Sequence, residues 1–426
     1  MDRREFLKSA GAAAGALGAS ASRLDAVLLE RRAPALSGGA ADIAVIGAGA
    51  WGGWTALHLQ RLGATVTLID QYGPGNSRAS SGDETRGVRT AYGDNEQWTR
   101  WASEAIRRWI RFDEEYGRPL RMRLFYQTGD IICRARMESF LEETLATWKK
   151  YGVRHDVLTG DEVRRRYPAM QLEDIEVALY EHDAGVVRAR RACEAVAEVF
   201  RQEGGTIVTA RAEPGGGAGP RMQDVALAPG GSLVAGQYVF ACGPWLWKVF
   251  PDVLGRRMRT PLGHVYYFGT PPGDDRFTFP ALPSYNFPGV TGWPALGPDN
   301  RGFRVRTGGR PHSDPDTVER WIDPENFSRP RDFLAQRFPI LKEAPLLETR
   351  ACHYELSVHR NFIIDRVPGR ENAWIAGAGN AEGYKMGPVV GEYVANRVLG
   401  NATAPALDEL FRIPQDEYPP PVEGDV

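Results

Sequence analysis

The chain of 426 residues is short of lysine, cysteine and net charge, and each shortage narrows its chemistry. Lysine stands only at positions 8, 149, 150, 248, 342 and 385, the other basic residues being arginine, so a lysine inside a motif is informative. A net charge of −2 gives no basic field for nucleic acid as a partner. The four cysteines (133, 193, 242, 352) contain no CxxC pair, which argues against a zinc site or a disulfide scaffold. The seven histidines form no cluster with metal-ligand spacing, so no metal is expected. There is no internal repeat, and no run of 18 apolar residues gives the mature protein a stable membrane span.

The N-terminus reads as a separate object. Arg3-Arg4 is followed by a mild Ala/Gly-rich run from Ser9 to Ala21, ending in the small-residue triplet Ala19-Ser20-Ala21. This is the pattern of a twin-arginine signal over 1–21, with a frayed basic terminus as the plain alternative. The expected partner is the twin-arginine export machinery and the expected location periplasmic or extracellular. That route carries folded proteins, which suits one that acquires a cofactor before export. Residues 22–41 read as a linker.

The most informative stretch is Asp42–Asp70. Ile43–Ile46 has the apolar character of a buried parallel strand, Gly47-Ala48-Gly49-Ala50-Trp51-Gly52 follows, Trp54–Leu62 has helical spacing, and Thr65–Ile69 is a second strand ending on Asp70. Gly47 permits the tight turn, Gly49 permits close approach of a pyrophosphate, and Gly52 permits helix and strand to pack. The helix N-terminus offers free N–H groups to phosphates. Asp70 is placed to accept hydrogen bonds from a ribose.

Beyond it come a polar loop from Gly73 to Asp83, a helix over Gln97–Tyr116, an alternating strand over Leu124–Cys133 and a helix over Met137–Tyr151. A helix over Ala189–Glu203, strands Thr206–Thr209 and Gln237–Ala241, and a Pro-, Gly- and aromatic-rich stretch over Arg256–Arg306 follow; the last suggests a separate antiparallel sheet. Strand Ala373–Ala376 and a helix over Pro388–Leu399 close the chain.

Five blocks in this order resemble the D-amino-acid oxidase superfamily of flavoproteins, in particular its sarcosine-oxidase branch. They are the glycine loop with Asp70; Ser81–Gly93, which holds Asp83-Glu84-Thr85-Arg86-Gly87-Val88-Arg89; Asp183–Val187; Tyr238–Trp245, with Cys242, Gly243 and Trp245; and Cys352-His353-Tyr354 with Phe362–Asp365 and Gly377–Pro388. Gln71 and Ser80, beside the first two, are also expected to bind the cofactor. The resemblance implies an α/β fold: a Rossmann-type FAD-binding domain (parallel sheet, GxGxxG) interleaved with a second α+β substrate domain built on an antiparallel sheet. The expected division gives 42–116, 155–255 and 345–415 to the first, 117–154 and 256–344 to the second, and 416–426 to a tail.

The resemblance also implies roles. FAD is the expected cofactor, held by the residues of these blocks, including Ala50, Trp51, Ser81, Thr85, Val187, Gly379, Gly383 and Tyr384. Arg86 and Arg89 match a pair beside the flavin ring, and Arg89 matches the one that clamps a substrate carboxylate, for which a guanidinium fork is suited. Their spacing would put them on one face of a helical turn; the plain alternative is an ion pair with Asp83 or Glu84. Lys385 matches a second carboxylate contact, with a solvated side chain as the alternative. Cys352 matches a cysteine joined covalently to the flavin, the alternative being a small buried hydrophobe. The helix opened by Gly387-Pro388 matches one aimed at the flavin. His264 falls near the expected pocket. Two positions depart from the pattern: Glu382 replaces a histidine, and Arg304 stands where relatives carry the lysine that activates oxygen. The implied activity is FAD-dependent oxidation of a secondary amine or amino acid, with a hydride equivalent passing to flavin N5 and the imine hydrolysed. Electrons go to O2, giving H2O2, or, in a dehydrogenase, to a quinone or carrier protein. An exported flavin-binding protein without turnover is the remote alternative.

Overall fold

A computed structural model describes residues 41–217, 219–297, 301–401 and 404–419. The signal and linker readings for residues 1–40 therefore lie outside the described residues, as does the last part of the expected tail.

The first layer is a six-stranded sheet in the order Ile363–Arg366, Ala373–Gly377, Ala235–Phe240, Ala41–Ile46, Val66–Asp70, Thr206–Thr209. All neighbours run parallel except the first pair. Strands buried on both faces need to be apolar throughout, and Ile43–Ile46 is fully buried. On one face lie helices Ala50–Arg61, Ala189–Gln202 and Gly387–Leu399, sealed around Trp54, Trp109 and Phe112. On the other, Tyr238, Phe240, Leu246, Phe250 and Leu254 form a second core.

The connection from Ile46 into the first helix depends on glycine. Gly47 has φ +106°, and a Cβ there would meet the Ala241 carbonyl oxygen at 2.3 Å. A Cβ on Gly52 would lie 1.7 Å from the Gly47 carbonyl oxygen, so Gly52 is what lets helix and turn touch. The helix begins at Ala50, four residues ahead of the expected Trp54, because Gly49 is extended (φ −71°, ψ −171°) and serves as the N-cap.

The second layer is an eight-stranded sheet: Leu346–His353, Pro261–Phe268, Phe303–His312, Val290–Trp293, Ser284–Phe287, Asp130–Arg134, Val177–Glu181, His155–Thr159. It is antiparallel but for one pair, Ser284–Phe287 with Asp130–Arg134. Tyr285, Phe303, Phe333 and Phe338 pack its far side against helix Ser328–Arg337. The antiparallel expectation for 256–306 holds. However, the sheet also takes His155–Thr159, Val177–Glu181 and Leu346–His353, stretches the sequence reading gave to the FAD-binding part. Local patterning shows that a segment is a strand; long-range pairing decides which sheet takes it.

Two local expectations are corrected. Leu124–Cys133 is two strands, Phe125–Tyr126 and Asp130–Arg134, parted at Gly129 with φ +69°. Arg86–Val88 is a strand of a small sheet with Gly185–Val187 and Phe125–Tyr126, not a helical turn, because its backbone pairs with Val187 and Gly185.

Candidate active site

One cavity of about 600 Å³ runs from the glycine turn, past the strand ends of the first sheet, to the face of the second. At its first end Gly47, Gly49, Ala50, Trp51, Asp70 and Gln71 form the wall. No side chain caps the helix at Gly49 and no acidic residue stands in its first turn, which leaves its N-terminal N–H groups open to an anion. Among the described residues Ser81 Oγ intervenes, accepting from Ala50 N at 3.1 Å. Asp70 braces the turn: Oδ2 accepts from Ala48 N at 2.7 Å and Oδ1 from Tyr72 N at 2.8 Å. Burial pushes its carboxyl above the ordinary range, and these N–H groups oppose the rise. A glycine cradle, an uncapped helix end and a carboxylate at the next strand's tip fit a dinucleotide.

Around the middle lie Ser80, Cys242, Gly243, Trp245, Cys352 and Glu355. Ser80 Oγ donates to Glu355 Oε1 at 2.5 Å, and burial raises the Glu355 carboxyl. The segment around Asp314–Asp316 closes over this part. Lys248 Nζ bonds both Asp314 oxygens at 2.8 Å and also Asp316, while Trp245 Nε1 donates to Asp316 Oδ1 at 2.7 Å.

The far end is lined by cations. Arg86, Arg89, Arg304, Arg306 and Lys385 all reach the wall, with Trp293, Tyr354, Glu382 and Tyr384. Most are spoken for. Arg86 pairs with Asp83 at 2.5 Å and also donates to the Ser80 and Thr85 carbonyls. Arg304 has an ion-pair contact with Asp83 at 3.6 Å and its guanidinium carbon lies 3.8 Å from the Trp293 ring centroid, but its Nε and Nη1 have no hydrogen-bond partner among the described residues. Burial works against the Asp83 charge, yet Arg86 and Arg304 hold its carboxyl below the ordinary range. Lys385 Nζ bonds Glu382 Oε2, which also accepts from Tyr92 Oη at 2.9 Å. Burial lowers the Lys385 ammonium; Glu382 counters it, and Lys385 with Arg89 keeps Glu382 low despite burial.

Arg89 differs. Among the described residues it makes no hydrogen bond, although Glu382, Asp130 and Glu181 sustain its charge against burial. Glu181, which accepts from Thr90 N and Oγ1, is pushed up to about 8 by burial.

The turn carrying Gly379, Ala381, Glu382 and Gly383 is unusual. Ala378, Asn380 and Ala381 all have positive φ, in the left-handed region that side chains avoid. Asn380 pins the turn, donating to Ala378 O at 2.7 Å and Asn361 O at 2.6 Å. Trp51 Nε1 donates to Gly383 O at 2.8 Å, tying the turn to the first helix. Gly387 and Pro388 open the last helix behind this turn and are not on the wall.

Four expected site residues lie off the wall. His264 is buried between Gly263 and Val265, which do face the cavity; a strand alternates its side chains, so His264 faces away. Thr85 Oγ1 instead accepts from Trp293 Nε1 at 3.1 Å and contacts Tyr267 Oη. Val187 is buried as the strand partner of Arg86, and Gly52 acts only in packing. The sequence reading missed Glu355, Trp293 and the Asp314–Asp316 segment as site elements. Arg306 was within reach, since two residues after Arg304 on a strand means the same face.

The DAO family model, described as FAD dependent oxidoreductase, matches residues 42–397. Monomeric sarcosine oxidase of Bacillus sp. (strain B-0618) is 26% identical over 378 residues, covering 85% of this chain and 93% of that protein. Human peroxisomal sarcosine oxidase is 26% identical, covering 82% of this chain and 90% of its own. Among solved structures, fructosyl peptide oxidase from E. terrenum aligns with a TM-score of 0.76 at 18% identity, over 88% of this chain and 93% of that one. L-proline dehydrogenase from P. horikoshii aligns at 0.74 and 19% identity, over 88% and 96%. The chain belongs to the DAO family of FAD-dependent oxidoreductases, with FAD as the cofactor its glycine turn and cavity fit.

Proposed function

We propose that the enzyme oxidises the C–N bond of a secondary amine or amino acid that carries a carboxylate, with Arg89 as its anchor. The observation that carries this reading is a half-buried, cavity-lining guanidinium with no hydrogen-bond partner among the described residues, on the same wall as the Lys385–Glu382 pair. A substrate carboxylate would complete it bidentately and fix the α-carbon's orientation. Bound FAD would supply the acceptor for a hydride equivalent from that carbon, and water then hydrolyses the imine. The cations along the wall disfavour a protonated amine and so favour the reactive neutral form. Glu382 faces the same space, its charge taken up by Lys385 and Tyr92. Trp293, Tyr354 and Tyr384 supply aromatic surface on the same wall.

Sarcosine oxidases among the relatives support oxygen as the acceptor, giving H2O2. A dehydrogenase reading has one observation in its favour: Arg304, fixed on Trp293 and Asp83, cannot give up a proton as a lysine can. Substrate addition in air separates them. Stoichiometric H2O2 supports the oxidase. Anaerobic flavin bleaching with an artificial quinone, but no H2O2 in air, supports the dehydrogenase; no bleaching by any carboxylated amine rejects both. Export by the twin-arginine route is proposed from Arg3-Arg4 and the Ala/Gly-rich run after it. Fractionation of a Tat-deficient host would test it, retention in the cytoplasm being the supporting result.

A further inference from the structure

Four arginines lie on or beside strand Phe303–His312, and three have a hydrogen-bond or ion-pair partner, Arg304 by an ion-pair contact alone. Arg301 bonds Glu348 at 2.7 Å, Arg304 sits 3.6 Å from Asp83, and Arg310 donates to the Glu319 and Trp321 carbonyls. Arg306 has none among the described residues. Its cross-strand neighbours are Val265 and Thr291, neither a carboxylate. It is half-buried on the cavity wall, its guanidinium carbon 5.7 Å from the Tyr354 ring centroid. The Tyr354 and Thr291 hydroxyls also line the cavity without a hydrogen bond among the described residues.

A half-buried guanidinium that faces a cavity without an acceptor is placed to meet an anion when the protein works. The dinucleotide phosphates belong to the other end, at Gly47 and the uncapped helix. Arg306 instead shares its electrostatic surroundings with Glu382, the residue that also faces Arg89. Arg89 and Arg306, neither with an ion pair or hydrogen bond among the described residues, thus line one cavity with Glu382.

We propose that the substrate is a dicarboxylic amine: Arg89 takes the carboxylate next to the oxidised carbon, and Arg306, with the Tyr354 and Thr291 hydroxyls, takes a second carboxylate on the same molecule. This rests on the amine-oxidation reading above and makes Arg306 a specificity-determining residue.

The test uses the FAD-loaded enzyme. N-methylaspartate and N-methylglycine are compared for anaerobic flavin bleaching and for kcat/KM, and succinate and acetate, which cannot be oxidised, are compared for binding by calorimetry. The expected result is a preference for N-methylaspartate of roughly thirtyfold or more, the size of a charge-assisted contact, and tighter binding of succinate than acetate. Arg306→Met should collapse both ratios towards one, and Arg306→Lys should restore part of them; the lysine variant also serves if the methionine variant fails to fold. Equal use of the two amines by wild type, or ratios untouched by either variant, would overturn the proposal while leaving amine oxidation standing. Succinate bound through Arg306 with no amine bleaching the flavin would overturn amine oxidation and leave the second anion site in place.

Discussion

The two ends of the cavity are built on opposite plans. At the glycine turn the binding groups are backbone N–H groups, and the nearby Asp70 is satisfied internally by Ala48 and Tyr72. At the far end the binding groups are long cationic side chains, and Arg89 and Arg306 have neither an ion pair nor a hydrogen-bond acceptor among the described residues. The first plan is rigid and specific for one resident group. The second holds charge ready for a molecule that comes and goes, at a cost in stability that neighbouring carboxylates only partly offset.

The comparison breaks most visibly at the rigid end. Gly52→Ala would place a Cβ 1.7 Å from the Gly47 carbonyl oxygen. The variant should lose flavin retention outright and unfold well below wild type, a penalty above about 4 kcal/mol; a yellow variant with unchanged melting temperature would refute the packing argument.

Between the ends, Cys352 lies on the wall near Arg86, where burial raises its thiol and the guanidinium opposes the rise. Acid precipitation of wild type should keep flavin with the polypeptide, and Cys352→Ala should release it. Flavin freed from wild type would show that Cys352 is only a buried apolar contact.

At the cationic end, Arg89→Met should lower kcat/KM for carboxylated amines by roughly 10²–10³, about 3–4 kcal/mol, while flavin retention survives. Unchanged steady-state kinetics would remove Arg89 from the site.

The smallest effect concerns the cost of that end. Glu181 titrates near 8 in the folded chain, above its ordinary value of 4.5. Its contribution is therefore fully present below about pH 4.5 and is lost as pH rises towards 8. Glu181→Gln should flatten this fall, gaining about 1 kcal/mol or more over wild type at pH 8 relative to pH 5. Parallel melting-temperature profiles would contradict it.

The rigid end was the more legible in sequence, and for a physical reason. Gly47, Gly49, Gly52 and Asp70 act through local backbone geometry, which twenty-nine consecutive residues from Asp42 to Asp70 encode together. The cationic end is assembled from strands of two sheets and a strained turn. Arg86, Arg89, Arg304, Glu382 and Lys385 were found through family resemblance, whereas Glu355 and Trp293 give no local sign of facing the same space. His264 shows the limit of block matching: one position along a strand separates the cavity from the core. The same long-range pairing moved His155–Thr159 and Leu346–His353 into the eight-stranded sheet.

The central claim is that FAD at the glycine turn and a carboxylated amine at Arg89 share one cavity. Anaerobic titration of the purified, FAD-loaded chain with N-methyl amino acids, followed by visible absorbance, tests it most directly. The account predicts a yellow protein with one FAD per chain that bleaches saturably with the wild-type enzyme and only at far higher amine concentration with Arg89→Met. A chain that stays colourless after incubation with FAD, or a bound flavin bleached equally in both, would contradict it.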